Sequence, residues 1–257
     1  MRTFSCRLVK MSSVAQSQDF YIGWDVGGWN CDKNSRSHDA IVILDASLAI
    51  VGQPWRGNLR NSINAAETSN AWIQALFEPC AAADTIHVMS HIYLAIDTPL
   101  GFSEELINLI TELKGVAALG DSFSNPYLYR KTERLLFEQG LAPLSPIKDM
   151  IGSQTTKGMH VLARFARQIS SCGVWTDGCS LTVLETYPSG CQRSVMIARL
   201  RSRYDALGHE DKEDALTCAL VAYLYAEQRE LLASPASDIP ASEGWVWVPR
   251  DALGQSG

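Results

Sequence analysis

The segment His209 to Tyr223, His-Glu-Asp-Lys-Glu-Asp-Ala-Leu-Thr-Cys-Ala-Leu-Val-Ala-Tyr, sets an acidic turn directly ahead of a small-residue, apolar run. It reads as a helix from Asp211 to Arg229. Ala215, Ala219 and Ala222 let such a helix pack close to a sheet. Asp211 and Asp214 are three residues apart, which makes their side chains neighbours on a helix, roughly 5–6 Å apart at Cβ. Two carboxylates held together repel, more so in the low dielectric of a core edge. A cation between them removes the repulsion. Acids in a first turn also favour the helix dipole without any ligand. The choice between these readings depends on whether other acids aim at the same point.

The chain has 257 residues, of which 46% are hydrophobic and 19% charged, enough for one large α/β domain. No apolar run is long enough to span a bilayer. Residues 1–18 carry Arg2, Arg7 and Lys10 but no apolar stretch of signal-peptide length, and read as a flexible leader, with Met11 as an alternative start. Residues 19–257 then form a single domain. The seven cysteines are scattered and include no Cys-x-x-Cys pair, which argues against zinc and for reduced thiols in the cytoplasm. The net charge of −6 excludes a generally basic nucleic-acid coat protein, so any contact with nucleic acid needs a local patch.

Strands are expected at Phe20–Val26, Asp39–Asp45 and Leu48–Gly52, with a turn at Asp45-Ala46-Ser47 joining the last two into a hairpin. A helix follows over Asn64–Phe77, then a buried strand over Thr85–Ile96. Ser103 caps a helix to Leu113 that should bury Leu106, Ile107, Ile110 and Leu113. Helices are expected at Tyr129–Gln139, Thr155–Ser170 and Arg193–Tyr204, with a strand at Leu181–Glu185 before the late helix. Gly244-Trp-Val-Trp-Val-Pro249 suits an edge strand. The order predicts a hairpin-led mixed sheet with helices on its faces and a helical insertion over roughly 103–179.

Three acids sit at strand ends among apolar neighbours: Asp25 before Gly27-Gly28, Asp97 before Thr98-Pro99, and Glu185 before Thr186-Tyr187-Pro188. Burying an ionised carboxylate without a partner is costly. With Asp211 and Asp214 they make five acids without an evident basic neighbour for each, a pattern that suits Mg2+ or Mn2+. Each acid also has a plain structural use. Asp25 can cap a turn, Asp97 can be an ordinary strand exit, and Glu185 can bind the backbone of its own turn.

Gly-Trp-Asp25-Val-Gly-Gly, Ala-Ile-Asp97-Thr-Pro-Leu-Gly-Phe, Glu185-Thr-Tyr-Pro-Ser-Gly and Asp211-x-x-Asp214-Ala-Leu-x-x-Ala resemble, in that order, the predicted RNase H-like nucleases of domain of unknown function 429. Arg130-Lys-Thr-Glu133-Arg and Glu243-Gly-Trp are similar to the same pattern. The first-strand Asp and the late helix also resemble RuvC-type resolvases. The resemblance implies an α/β, RNase H-like fold, a five-stranded mixed sheet with helices on both sides. It implies that Asp25, Asp97 and Asp214 hold the metals, with Asp211 as a further ligand, and that the activity is hydrolysis of DNA or RNA. Asp97 departs from the superfamily, where Glu is frequent at that strand end.

His209 could shuttle a proton. Arg130 and Lys131 on one segment and Arg193, Arg199, Arg201 and Arg203 on another offer phosphate contacts, although Arg130 with Glu133 can equally be an internal ion pair. Trp24 and Trp29 flank Asp25 and suit either base stacking or the core. No Gly-x-Ser-x-Gly elbow surrounds Ser189, and no P-loop is present. Two other readings stand beside the nuclease. An actin-like or sugar-kinase-like nucleotide-binding protein shares the strand-one Asp turn but needs two similar halves. A non-catalytic binding module on the same fold predicts no metal affinity. A homodimer through the tail strand is a further candidate.

Overall fold

The computed structural model describes residues 18–34, 36–86 and 90–254. The leader, with Met11, lies outside the described residues apart from Gln18. Strand β1 (Asp19–Asp25) is buried from Phe20 to Trp24, as befits a central strand. β2 (Asp39–Leu44) pairs antiparallel with β1, and β3 (Trp55–Gly57) antiparallel with β2. Helices α1 (Arg60–Ala65) and α2 (Ser69–Phe77) lead to β4 (His91–Asp97), which returns parallel to β1. Helices α3 (Glu104–Glu112), α4 (Lys131–Glu138) and α5 (Gly152–Phe165) precede a hairpin of β5 (Gln168–Ser171) and β6 (Val174–Thr176). β7 (Leu181–Thr186) lies parallel to β4. The chain ends with α6 (Pro188–Cys191), α7 (Val195–Arg201), α8 (Glu210–Glu227) and β8 (Val246–Trp247). Across the sheet the order is β3-β2-β1-β4-β7-β6-β5, and β8 pairs parallel with the end of β7.

Side-chain alternation divides the core in two. Tyr21, Ala95 and Leu184 face α8, where they meet Ala215, Ala219 and Ala222. Ile22, Trp24, Ile96 and Val183 face α2 and α5, against Trp72, Phe77, Val161 and Phe165. The close approach of α8 depends on Gly23. A Cβ there would fall 1.8 Å from the Ala215 carbonyl oxygen, so any side chain drives the helix off the sheet.

Several sequence expectations need correction. The sheet has eight strands, not five, because the stretch expected to be purely helical contributes β5 and β6 and the tail adds β8. Helix α5 stops at Phe165, and Gly173 at φ +71° turns the following hairpin. Leu48–Gly52 forms only a single bridge, Ile50 to Leu44. Pairing resumes after Pro54, where Trp55–Gly57 meets the start of β2. Asn64–Phe77 is two helices, the second capped by Thr68. β4 begins at His91 after a short 3-10 turn at Ala83–Thr85, and residues 87–89 lie outside the described residues. Ser103 caps α3 as expected, but Ile107, Ile110 and Leu113 are exposed. The tail strand is interior. Val246 and Trp247 are buried beside β7, so the residues proposed for pairing with a second copy already belong to the core. No helix among the described residues is long and apolar enough to cross a membrane.

Candidate functional site

Asp25 and Asp97 are the last residues of β1 and β4, and the parallel register sets them side by side. Adjacent strands are about 4.8 Å apart. Counting by twos from Tyr21 and Gly23 puts Asp25 on the α8 face, with Asp97 beside it. Asp214 precedes Ala215, the residue packed on Gly23, so the close helix–sheet contact delivers a third carboxylate to the same edge. Among the described residues none of these three carboxylates accepts a hydrogen bond or forms an ion pair. Burial raises Asp25 well above the usual carboxylate range, and the charges of Asp97, Asp211 and Asp214 raise it further. Asp97 is pushed up to about 8 by burial, then by Asp214 and Glu185. Asp214 is raised to about 6 by burial, then by Glu210. The fold gathers like charge here, relieved in part at Asp214 by the positive charge of Arg201.

The other expected site residues have partners of their own, although Glu185 lines the same cleft as Asp25 and Asp97, and Asp211 acts electrostatically on Asp25. Asp211 accepts from Arg56 Nε at 2.7 Å and from the His38 backbone N–H at 3.0 Å, which ties α8 to the β2–β3 end of the sheet. His209 is the N-cap of α8, its Nδ1 accepting from the Asp211 N–H at 3.1 Å. Glu185 pairs in register with Ile96, not Asp97, and strand alternation therefore turns it to the opposite face from Asp25 and Asp97. There Arg130 Nη1 and Nη2 donate to its two oxygens at 2.9 and 2.6 Å, and the Leu100 N–H donates at 2.8 Å. Arg130 also pairs with Glu133 and donates to the Glu243 carbonyl, and is 1% exposed. The Glu243 carboxylate accepts from the Glu104 and Lys131 backbone N–H groups. Three of the motif segments, around Arg130, Glu185 and Glu243, thus form one buried ionic knot. Arg130 does not face substrate, which corrects that assignment. Lys131 donates through Nζ to the Asp238 carbonyl at 2.7 Å, away from the acids. Arg201 pairs with Glu213 at 2.6 Å. Arg193 is exposed and acts electrostatically on Tyr187, beside the site.

Two residues that sequence reasoning passed over support the site. Asp39 and Lys157 are both 0% exposed and form an ion pair. Asp39 also accepts from Trp24 Nε1 and from the backbone N–H groups of Gly27 and Leu59, while Lys157 donates to the Gly27 carbonyl. Together they pin the turn that leaves Asp25. Trp24 is fully buried, whereas Trp29 lies partly exposed with its Nε1 on Thr156. The signals were an acid opening an apolar strand and a lysine on the apolar side of α5.

A cleft of about 350 Å³ opens over Asp25 and Asp97, walled by the loop after β4, residues 142–144, the start of α5 and the turn after β7. The all-oxygen donor set and its like charge suit a hard divalent cation. Among the described residues no group of three or more His, Cys, Asp or Glu side chains is placed so that it could hold a metal ion. Comparisons with protein-family models, curated proteins and solved structures found no match to this chain.

Proposed function

We propose that this chain is a divalent-metal-dependent nuclease of RNase H-like architecture, hydrolysing phosphodiester bonds in DNA or RNA. The observation that carries the reading is the meeting of Asp25, Asp97 and Asp214 at one sheet edge, partly buried and without a cationic or hydrogen-bonding partner among the described residues. The sheet supports it. Within the eight-stranded sheet, β3-β2-β1-β4-β7 run as two antiparallel pairs and then two parallel pairs, with helices on both faces, an order that an RNase H-like reading can use.

Asp25, Asp97 and Asp214 would hold Mg2+ or Mn2+. Such a cation would supply a water of lowered pKa and stabilisation of charge on the leaving oxygen. The chain's own residues do the positioning. The Asp39–Lys157 pair fixes the turn beyond Asp25. The Glu185–Arg130–Glu133 knot fixes the loop beyond Asp97. Asp211, neutralised by Arg56, fixes the start of α8 and so Asp214. Arg193, exposed beside the cleft, offers a contact to a phosphate.

The test is incubation of labelled single-stranded, duplex and branched substrates in Mg2+ or Mn2+, with Asp25→Asn as control. Cleavage by the wild type and its loss in the variant support the reading. Equal cleavage by both would assign it to a contaminant and remove the reading. The nucleotide-binding alternative requires two similar halves, and a single sheet gives it no support.

A further inference from the structure

The shape of the cleft carries a statement about substrate. Asp25 and Asp97 line it together with the Arg130-paired carboxylates Glu133 and Glu185, and the rest of its wall includes Val26, Pro99, Pro143, Leu144, Ile151 and Tyr187. Tyr187 Oη donates to the Ala142 carbonyl at 3.0 Å, which holds the 142–144 loop over the acids. Leu144 stands half exposed at the rim. Among these apolar surfaces lie a few polar groups with no bond of their own. Thr98 lines the cleft, is 4% exposed, and its Oγ1 has no hydrogen-bond partner among the described residues. Gln154 and Ser189 line the same space, and their side chains likewise make no hydrogen bond among the described residues. A concave site of 300–1,000 Å³ with apolar walls and a few placed polar groups is the usual form of a small-ligand pocket.

A purely electrostatic phosphate track needs no such walls. Bases in a continuous duplex are stacked and paired, with their faces covered. A scissile phosphate can reach acids recessed in a cleft of this size only if its nucleotide leaves the stack, which costs a few kcal/mol in a duplex and least where the strand is already unpaired. An apolar wall then covers a base face, as in single-strand binding proteins, and a buried hydroxyl or amide can meet the base edge.

We infer that the cleft seats one unstacked nucleotide beside the carboxylates, so that the substrate class is unpaired nucleic-acid strand, not continuous duplex. This rests on the nuclease reading for the role of the acids and deepens it. The base chemistry is shared by DNA and RNA, so both enter the test.

The experiment uses fluorescein-labelled 20-mers of one sequence, as DNA and as RNA, each single-stranded and annealed to its complement. Binding is read by anisotropy in Ca2+, which takes the same class of oxygen donors, and cleavage is read in Mn2+. The wild-type chain should bind single strand at least tenfold tighter than duplex in at least one of the two chemistries. Leu144→Asp should weaken single-strand binding at least fivefold with Tm unchanged, and Thr98→Val should narrow the preference. Duplex bound or cut as well as single strand, with Leu144→Asp silent, overturns the inference and leaves the nuclease reading standing. A binding preference for single strand with no cleavage of any substrate removes the nuclease reading and leaves the occupant of the cleft as inferred.

Discussion

The Asp97 side chain opposes stability when it is charged. Its carboxyl is raised to about 8 because burial and the neighbouring acids disfavour its charge. Asp97→Asn keeps the shape and removes the charge. Metal-free Asp97→Asn protein should therefore melt above the wild type at pH 8, by at least the roughly 2–4 °C that 1 kcal/mol represents in a chain of this size, while losing metal-dependent cleavage. Differential scanning fluorimetry in EDTA checks the first part; an unchanged or lower Tm counts against it. Two arginines that look alike in sequence should part company. Arg130 is enclosed by Glu133 and Glu185, so Arg130→Met leaves buried carboxylates unpaired and should cost about 3–5 kcal/mol in urea melts. Arg193 is exposed, so Arg193→Ala should leave stability within about 0.5 kcal/mol. It should lower nucleic-acid affinity and reduce the magnitude of the salt slope by roughly 1.

At the level of elements, the contact of α8 with β1 governs the site, because it brings Asp214 to Asp25 and Asp97. Gly23→Ala overpacks that contact against backbone that cannot turn aside. Destabilisation of about 1–3 kcal/mol or more is expected, together with weakened metal binding in whatever folds; native stability with unchanged metal affinity would show that the helix position does not matter. Much of this arrangement was legible beforehand. An acid ending an apolar strand, twice, and a helix opening with Asp-x-x-Asp before small residues identify the ends that meet. What was not legible depended on register and on long-range closure. Whether Glu185 joins Asp97 turns on one residue of strand pairing, and the pairing partner, Ile96, is fixed only in the folded sheet. Arg130 looks like a surface cation until the tail brings Glu243 over it. Lys157 on α5 announces no partner 118 positions away in Asp39. The β5–β6 hairpin was lost because Gln168–Ser171 is short, polar and exposed, and continues a helical pattern without a strong break.

For the whole molecule, the acid cluster sets a pH dependence whose sign is fixed. Unfolded Asp titrates near 3.9, whereas burial and the neighbouring acids push native Asp97 up to about 8 and Asp214 up to about 6. The native state then holds its protons more tightly, so this contribution to stability is full below about pH 4 and is lost as pH rises through 6 to 8. Metal-free protein should melt several degrees lower at pH 8.5 than at pH 5.5, and saturating Mn2+ should abolish the fall by binding only the folded chain. A metal-free Tm that rises across this range contradicts the repulsion described above. The most direct test of the proposal that Asp25, Asp97 and Asp214 hold a divalent cation is calorimetric titration of Mn2+ into the wild-type protein and Asp97→Asn at pH 7.5. Saturable binding to the wild type, weakened at least tenfold in the variant, is the predicted result. Absence of binding to the wild type, or equal binding to both, would contradict it.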